Sequence, residues 1–302
     1  MSSDPGMAPP GPESFPRAMG RALRRVFLWL MLAGVVAALG FAAWGYWVET
    51  WPPVVRRALV TLPAPELAGK RIRLALASDI HVGNHGMSPA RLDRVVDQIM
   101  AEHPDVIMLA GDFVNGEKPG DPAVHIEMLT APLSRLRAPL GVFAVLGNHD
   151  GDTDPEGVTA ALQQAGITVL RNEVAKAGPL VLAGYDRYTR HRKAPKSLFK
   201  LARAVGGPII AVEHAPNLGR KLPPDVPVLL AGHTHCGQVN LPGLSSSHSF
   251  IDGRSLYDPV FRCGLVDWQG HVVVVTGGVG SGSFPLRIGT RPDFWMITFT
   301  GR

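Results

Sequence analysis

The sequence predicts an α/β fold for most of its length. Short apolar runs alternate with polar, glycine-rich loops and with two segments of helical periodicity, which is typical of buried sheets covered by helices. The chain has 302 residues, 46% of them hydrophobic and 18% charged, so it can bury a large core. Seven runs are predicted strands, at residues 72–77, 106–110, 142–146, 180–183, 209–212, 226–231 and 272–276, and residues 89–101 and 155–165 are predicted helices.

Charge and cysteine content exclude some classes of protein. The formal net charge is only +5, and the basic residues beyond residue 70 are scattered, so we expect no nucleic-acid partner. Cys236 and Cys263 are the two cysteines, too few for a disulfide framework or a cysteine zinc site. The sequence does not exclude one disulfide bridge between these cysteines, and it does not decide the redox compartment.

The N-terminal region predicts a membrane anchor. Residues 1–20 are rich in Pro, Gly and Ser, which predicts a disordered tail. Residues 26–48 carry no charge and would form a helix about 34 Å long, enough to cross a hydrocarbon core of roughly 30 Å. We therefore predict an anchor over residues 21–48, in contact with the bilayer through 26–48, rather than a buried core helix. Aromatic residues gather at its far end, as at a membrane interface: Trp44, Tyr46, Trp47 and Trp51.

Basic residues around the anchor predict its orientation. Four arginines precede the uncharged segment 26–48 and two, Arg56 and Arg57, follow shortly after it, so we expect a cytoplasmic N-terminus and the remainder of the chain outside the membrane. The string RRVFL also resembles a twin-arginine export signal. Only a weak cleavage site follows, at residues 38–40, which favours an uncleaved anchor. We predict a linker over residues 49–70 and a folded domain over 71–302.

Polar residues of a few types follow five of the apolar runs. A single histidine at a strand end is usually structural, but five such ends are hard to explain by packing, which gains nothing from unpaired polar groups. Loops beyond strand ends are also where α/β folds collect their functional sites. The residues are Asp79, His81, Asp112, Asn148, His149, Asp150, His214, His233 and His235.

This set of side chains predicts a metal centre. Imidazole, carboxylate and amide groups without thiolate suit Mn, Fe or Zn. Seven ligands exceed the number that one tetrahedral zinc needs, so we expect two divalent metal ions. We expect the D-x-H and H-x-H pairs to be extended, because alternate residues of an extended segment point to one side. Two cations roughly 4 Å apart can activate water and neutralise phosphoryl charge, which predicts hydrolysis of a phosphoester substrate.

The order of these motifs resembles the calcineurin-like metallophosphoesterases. The chain carries D-x-H, G-D, G-N-H-D, a lone His and G-H-x-H in that order, and the resemblance covers residues 71–302. The stretches GHTHCGQVNLP and GGVGSGSFPLRIGTRPDFWMITFT further resemble a bacterial subgroup of exported or membrane-anchored phosphodiesterases. Two departures concern the substrate rather than the metals: Cys236 stands where Gly is expected, and EHAPN replaces S-H-x-P-D.

The resemblance implies a fold and a role for each site residue. The fold would be a four-layer αββα sandwich with two mixed β-sheets, preceded by one transmembrane helix. His149 would be catalytic, stabilising charge or protonating the leaving oxygen, a role suited to imidazole. The implied ligands are Asp79, His81 and His235 for the first metal, Asn148, His214 and His233 for the second, and Asp112 as the bridge.

Other polar residues receive structural or alternative interpretations. Asp150 either orients His149 or caps a loop. Arg287 is expected at the surface rather than on a substrate, and Cys236 is expected to pack as a small neighbour. Six histidines are assigned structural roles: His85, His103, His125, His191, His248 and His271.

The sequence therefore predicts a dinuclear metal-dependent phosphoesterase of phosphodiesterase type, anchored to the bacterial inner membrane with its catalytic domain in the periplasm. One alternative changes the substrate, to a lipid pyrophosphate of the UDP-2,3-diacylglucosamine type, and places the domain on the cytoplasmic side. The other is a binding protein that has lost catalysis, which is disfavoured because every expected ligand is present.

Overall fold

The computed structural model describes residues 14–121, 124–186, 195–241, 244–245, 257–282 and 284–302. The chain divides into two compact units, Met1–Trp44 and Gly45–Arg302.

A single long helix, α1 (Ser14–Glu49), forms the described part of the first unit and ends within the second. Its segment Met19–Glu49, with 31 residues, is long and apolar enough to cross a membrane. The predicted disordered tail is wrong for residues 14–20, which are helical. Extending an existing helix costs far less than starting one, so the apolar helix can continue into this stretch. Residues 1–13 lie outside the described part of the chain.

The second unit contains two six-stranded sheets and a short two-stranded ribbon. In spatial order, the first sheet is β1 (Val54–Leu62), β14 (Asp293–Gly301), β2 (Arg71–Ala77), β3 (Val106–Ala110), β4 (Val142–Val145) and β5 (Thr168–Val169). The second sheet is β12 (Gly264–Trp268), β13 (His271–Val275), β9 (Val228–Ala231), β8 (Ile209–Glu213), β7 (Leu180–Tyr185) and β6 (Glu173–Ala177). The ribbon pairs β10 (Asn240–Leu241) with β11 (Leu244–Ser245).

Five helices and four 3₁₀ turns complete the described part of this unit. The α-helices are α2 (Pro89–Ala101), α3 (Glu127–Leu133), α4 (Asn148–Thr153), α5 (Pro155–Gln164) and α6 (Pro195–Val205), and the turns are Pro65–Leu67, Pro216–Lys221, His235–Gly237 and Pro259–Phe261. Helix α2 shows why they form. The Ser88 hydroxyl accepts from the Arg91 N–H at 3.3 Å, Pro89 occupies the first turn, and apolar residues recur on one buried face.

Alternating side chains divide the unit into four layers. Leu74 and Leu76 of β2 face the second sheet and pack with Leu182 and Leu230. Ala75, on the opposite face of β2, belongs to the apolar cluster that includes buried side chains of α2, α3 and α5. A third cluster covers the outer face of the second sheet with α6. The predicted αββα sandwich is confirmed.

Strand directions bring the motif-bearing strands to common edges. β2, β3, β4 and β5 are parallel in the first sheet, while β14 is antiparallel to β2 and parallel to β1. β7, β8, β9 and β13 are parallel in the second, with antiparallel β6 and β12 at its edges. Both sheets are therefore mixed, and the carboxyl ends of β2, β3 and β4 meet at one edge, as do those of β8 and β9 in the second sheet.

The predicted linker over residues 49–70 is wrong. Residues 54–62 form β1, which pairs with β14 over its whole length, from Val54 opposite Asp293 to Leu62 opposite Gly301. Leu62 and Leu67 are buried in the layer between the sheets. Arg56 and Arg57 interrupt the apolar pattern, and the pairing partner lies at the other end of the chain, so no local signal identifies this strand.

The other predicted elements are present with small shifts of their ends. The predicted bounds of β3 and α2 match the structure, and the remaining predicted strands differ by one or two residues at one end, except β13, which is shifted by one residue at both ends. Besides β1, the sequence reading missed β5, β6, β12 and β14 and the short ribbon. Each of these strands lies at a sheet edge, is short, or mixes polar with apolar residues.

Candidate metal centre

Left-handed backbone turns carry the motifs at the strand ends. Asp79 and His81 follow β2 with φ of 55° and 52°, Asp112 follows β3 with φ of 57°, and His233 and His235 follow β9 with φ of 69° and 48°. The predicted extended conformation of D-x-H and H-x-H is therefore wrong. Such conformations cost of order 1–3 kcal/mol per residue, and a tight turn that aims side chains at a site is where proteins retain them.

Backbone hydrogen bonds between the loops hold these turns in place. The Asp79 N–H donates to the Gly111 carbonyl at 2.8 Å, and the His81 N–H donates to the Asp112 carbonyl at 3.1 Å. The His233 N–H donates to the Asp79 carboxylate at 3.0 Å, which joins the loops of the two sheets. The turns are thus fixed by each other rather than by local sequence alone.

The first group of predicted ligands lies close together. Potential ligand atoms of Asp79, His81 and His235 all lie within 4.8 Å of one another. The Asp79 Oδ1 atom is 3.9 Å from His81 Nε2 and 3.5 Å from His235 Nε2. Asp79 and His81 are fully buried.

The second group lies next to the first. Asp112, His214 and His233 also have ligand atoms within 4.8 Å of one another. The Asp112 Oδ2 atom is 3.0 Å from His214 Nε2, and His214 Nε2 is 3.2 Å from His233 Nδ1. Asp112 Oδ2 is also 3.7 Å from His81 Nε2, so Asp112 stands between the two groups.

Two of the predicted ligands have buried polar atoms with no protein partner. Both ring nitrogens of His81 and the Oδ1 atom of Asn148 are buried without a hydrogen bond. Buried polar atoms are satisfied in the great majority of cases, and an unpaired one costs roughly 1–3 kcal/mol. The His81 Nε2 atom, beside the carboxylates of Asp79 and Asp112, fits a bound divalent cation.

Charge interactions match the same interpretation. Burial lowers the pKa of His81 to about 3, so its ring is neutral with a lone pair available. Burial raises the pKa of Asp112, but the imidazoles of His214 and His149 outweigh it and hold that pKa well below its usual range. Burial likewise lowers the pKa of His214, but the Asp112 carboxylate raises it to about 10. The negative charge of Asp112 thus stabilises a proton on His214. The same charge could instead stabilise a divalent cation.

The backbone orients His149 and His214 toward the cluster. His214 Nδ1 lies 2.6 Å from the Ala110 carbonyl, and His149 Nδ1 lies 2.5 Å from the Gly116 carbonyl, which leaves each Nε2 atom directed elsewhere. The His149 ring lies 4.8 Å from the His81 ring, centroid to centroid. His149 is thus beside the predicted ligand His81, and its catalytic role stays a prediction.

Asp150 caps the loops of the site. Its carboxylate accepts hydrogen bonds of 2.8 to 3.2 Å from four backbone N–H groups, and these bonds tie the end of β3 to the start of α4. The loop-capping alternative is therefore supported over orientation of His149. The donors are Gly147, Asp112, Phe113 and Val114.

Cys236 forms a disulfide with Cys263, which corrects its interpretation as a small packing neighbour. Their Cα atoms are 4.8 Å apart. Cys236 directly follows the predicted ligand His235, and both residues have left-handed φ. The sequence alone does not decide whether this disulfide forms, because two cysteines 27 residues apart show no local pairing signal.

Arg287 is buried, so its expected place at the surface is wrong. It makes an ion pair of 2.6 Å with Glu49, a residue that sequence reasoning did not single out. Nothing local identifies this pair, because its members are 238 residues apart.

The histidines assigned structural roles contribute to none of the potential metal groups among the described residues. His125 lies 3.0 Å from Glu127, and His271 lies 2.9 Å from the Val226 carbonyl. His191 and His248 fall outside the described residues.

Comparison with known proteins adds a family to this geometry. Residues 72–237, more than half of the chain, match the family described as "Calcineurin-like phosphoesterase". A protein of Danio rerio named "Transmembrane protein with metallophosphoesterase domain" is 29% identical over 296 residues, which cover 91% of this chain and 63% of that protein. An "Uncharacterized metallophosphoesterase" of Aquifex aeolicus is 29% identical, covering 78% and 87% of the two chains.

A further relative matches along nearly its full length. "Phosphodiesterase YaeI" of Escherichia coli is 27% identical over 288 residues, which cover 91% of this chain and 98% of that protein. By contrast, this chain spans less than two thirds of the Danio rerio relative. The family match includes all seven predicted ligands and His149. The chain therefore belongs to the calcineurin-like phosphoesterase family.

Proposed function

We propose that the protein is a dinuclear metal-dependent phosphodiesterase held at the bacterial inner membrane by α1. The observation that carries this proposal is the continuous cluster formed by the two ligand groups, with Asp112 between them and unpaired buried atoms on His81 and Asn148. A cluster of this kind is costly in a folded protein unless cations occupy it.

The proposed ligand set follows the two groups. Asp112 bridges the two positions because its carboxylate faces both groups. Two bound divalent cations would supply positive charge for a phosphoryl oxygen and lower the pKa of a water molecule. Asp79, His81 and His235 hold one position, and Asn148, His214 and His233 hold the other.

His149 acts on the leaving group in this proposal. Burial lowers its pKa, but the Asp112 carboxylate and the Gly116 carbonyl more than offset burial and raise the pKa above 6.5. The raised pKa favours the protonated ring, which can donate its proton to the departing oxygen of a phosphoester. The Gly116 carbonyl holds Nδ1, so Nε2 is the donor.

Separate observations support attachment to a membrane and a position outside the cytoplasm. Helix α1 is long and apolar enough to span a membrane, and the Danio rerio relative is named as a transmembrane protein. The bond between Cys236 and Cys263 favours an oxidising compartment, because cytosolic thiols are kept reduced. The disulfide therefore supports the periplasmic orientation and disfavours the lipid pyrophosphohydrolase alternative, which needs a cytoplasmic domain.

A substrate panel with defined metals tests the proposal. The full-length protein is stripped of metal in detergent, refilled with Mn²⁺, Fe²⁺ or Zn²⁺, and assayed on a phosphodiester, a phosphomonoester and a nucleotide-linked lipid pyrophosphate. We expect metal-dependent hydrolysis, fastest on the diester, and Asp112→Asn serves as the control against contaminating phosphatases. Two bound metals without hydrolysis of any substrate would support the binding-protein alternative instead.

A further inference from the structure

A buried carboxylate at the end of α1 joins two buried arginines. Glu49, the last residue of the helix, and Arg287 are fully buried, and Arg91 is 4% exposed. Arg287 Nε lies 2.6 Å from Glu49 Oε2, and Arg91 Nη1 lies 3.4 Å from Glu49 Oε1. Arg91 Nη2 also donates to the Glu49 carbonyl at 2.5 Å. Because the compact unit with the metal centre begins at Gly45, this last turn of the helix belongs to it.

This arrangement is expensive to bury, which suggests a role beyond stability. Two guanidinium groups and one carboxylate leave water together, and a buried ion pair is often no more stabilising than apolar residues of similar volume. Removing one partner is much worse, because it leaves an uncompensated charge in the interior. The Glu49 carboxylate is therefore needed to compensate the buried charges of Arg91 and Arg287 and to keep both side chains ordered.

Both arginines also donate to a single turn, residues 277–280. Arg287 Nη2 donates to the Gly277 carbonyl at 2.8 Å and to the Gly280 carbonyl at 2.5 Å. Arg91 Nη2 donates to the Val279 carbonyl at 2.8 Å. With the Gly278 carbonyl, which accepts from Arg287 Nη2 at 3.3 Å, four carbonyl groups of this turn accept from the two side chains that Glu49 contacts.

The same turn packs directly on the first group of metal ligands. The Gly280 N–H donates to the Asp79 carbonyl at 2.8 Å. Gly278 has φ of +79°, and a Cβ atom there would lie 2.6 Å from the Asp79 Cβ atom, so the backbone contacts this ligand closely. Arg287 Nη1 also approaches the His235 carbonyl at 3.5 Å. Asp79 and His235 are both proposed ligands of the first metal.

We propose that Glu49 is a positioning residue of the metal centre. Its carboxylate orders Arg91 and Arg287, these hold the turn at residues 277–280, and the turn sets the Asp79 loop for the first metal. The inference rests on the proposed function for its ligand assignment. In this proposal, the end of the apolar helix supports the metal centre of the catalytic unit, in addition to its role in a membrane anchor.

Metal binding by the full-length protein tests this inference without any substrate. The metal-stripped protein in detergent is titrated with Mn²⁺, and bound ions are counted for the wild type, Glu49→Gln, Glu49→Asp and Asp225→Asn. Asp225 pairs with Arg203 at the surface, 2.5 Å away, so its variant is the matched control for loss of an ion pair. We expect Glu49→Gln to bind one ion as the wild type does and the other at least tenfold more weakly. Glu49→Asp keeps the charge and should recover part of the affinity, while Asp225→Asn should bind both ions normally.

A double variant identifies the affected position. His235→Ala disables the first position. Adding Glu49→Gln to that variant should therefore cause no further loss of Mn²⁺ binding. Normal binding of both ions by Glu49→Gln would overturn the inference. Equal weakening of both ions, together with an earlier unfolding midpoint, would also overturn it, since that outcome is general destabilisation. A wild type that binds two Mn²⁺ ions without hydrolysing any phosphoester would refute the proposed function and leave this inference intact.

Discussion

The disulfide should contribute a large share of the stability of the catalytic unit. Cys236 and Cys263 are separated by 27 residues. Closing a loop of that length removes conformational entropy from the unfolded chain worth about 3.5 kcal/mol at 25 °C. For a unit of this size, one kcal/mol shifts the midpoint of thermal unfolding by roughly 2–4 °C. The double variant Cys236→Ala/Cys263→Ala should therefore unfold about 7–14 °C below the wild type.

Thermal unfolding of the full-length protein in detergent measures this effect, with and without a phosphine reductant that does not bind the metals strongly. The reductant should lower the wild-type midpoint toward that of the double variant and leave the variant unchanged. Because Cys236 follows His235, we also expect weaker Mn²⁺ binding after reduction. A wild-type midpoint that moves by less than 2 °C on full reduction would refute the assignment of the bridge as a structural constraint on this loop.

Other predictions concern the site and its location. Asp112→Asn should weaken both metal positions and lower turnover by several orders of magnitude; full metal content with near-normal activity would contradict the dinuclear proposal. His149→Ala should keep both metals and slow esters of poor leaving groups more than nitrophenyl esters. In the wild type, hydrolysis of poor leaving groups should fall as pH rises through the raised pKa of His149, and this decline should be absent in the variant. Asp150→Ala should lower the free energy of unfolding by at least about 4 kcal/mol in denaturant titrations, because four buried N–H groups lose their acceptor at a cost of roughly 1–3 kcal/mol each. Alkaline phosphatase fused to Arg302 should be active, and a fluorescent protein exported by the general secretory route should be dark there; the opposite result would place the domain in the cytoplasm.

The position of the site could be predicted because its signals are local. Each motif stands directly after an apolar run, and the carboxyl ends of parallel strands meet at one sheet edge, so Asp79 and Asp112 were expected to be neighbours. The backbone between the motif residues was predicted wrongly. Asp79 and His81 adopt left-handed turns because contacts with the Gly111 and Asp112 carbonyls, on another strand, hold them there.

The sequence by itself determined the α/β class, the apolar helix, the central strands and the set of candidate metal-binding residues. Periodicity and residue chemistry over a few positions carry all of these, so no distant contact is needed. Tertiary structure alone decided the strand at Val54–Leu62, the disulfide of Cys236, and the burial of Arg287 against Glu49. Each of these features depends on a partner tens to hundreds of residues away in the sequence. For the ion pair, folding creates the low-dielectric interior in which a buried charge must have an opposite charge beside it.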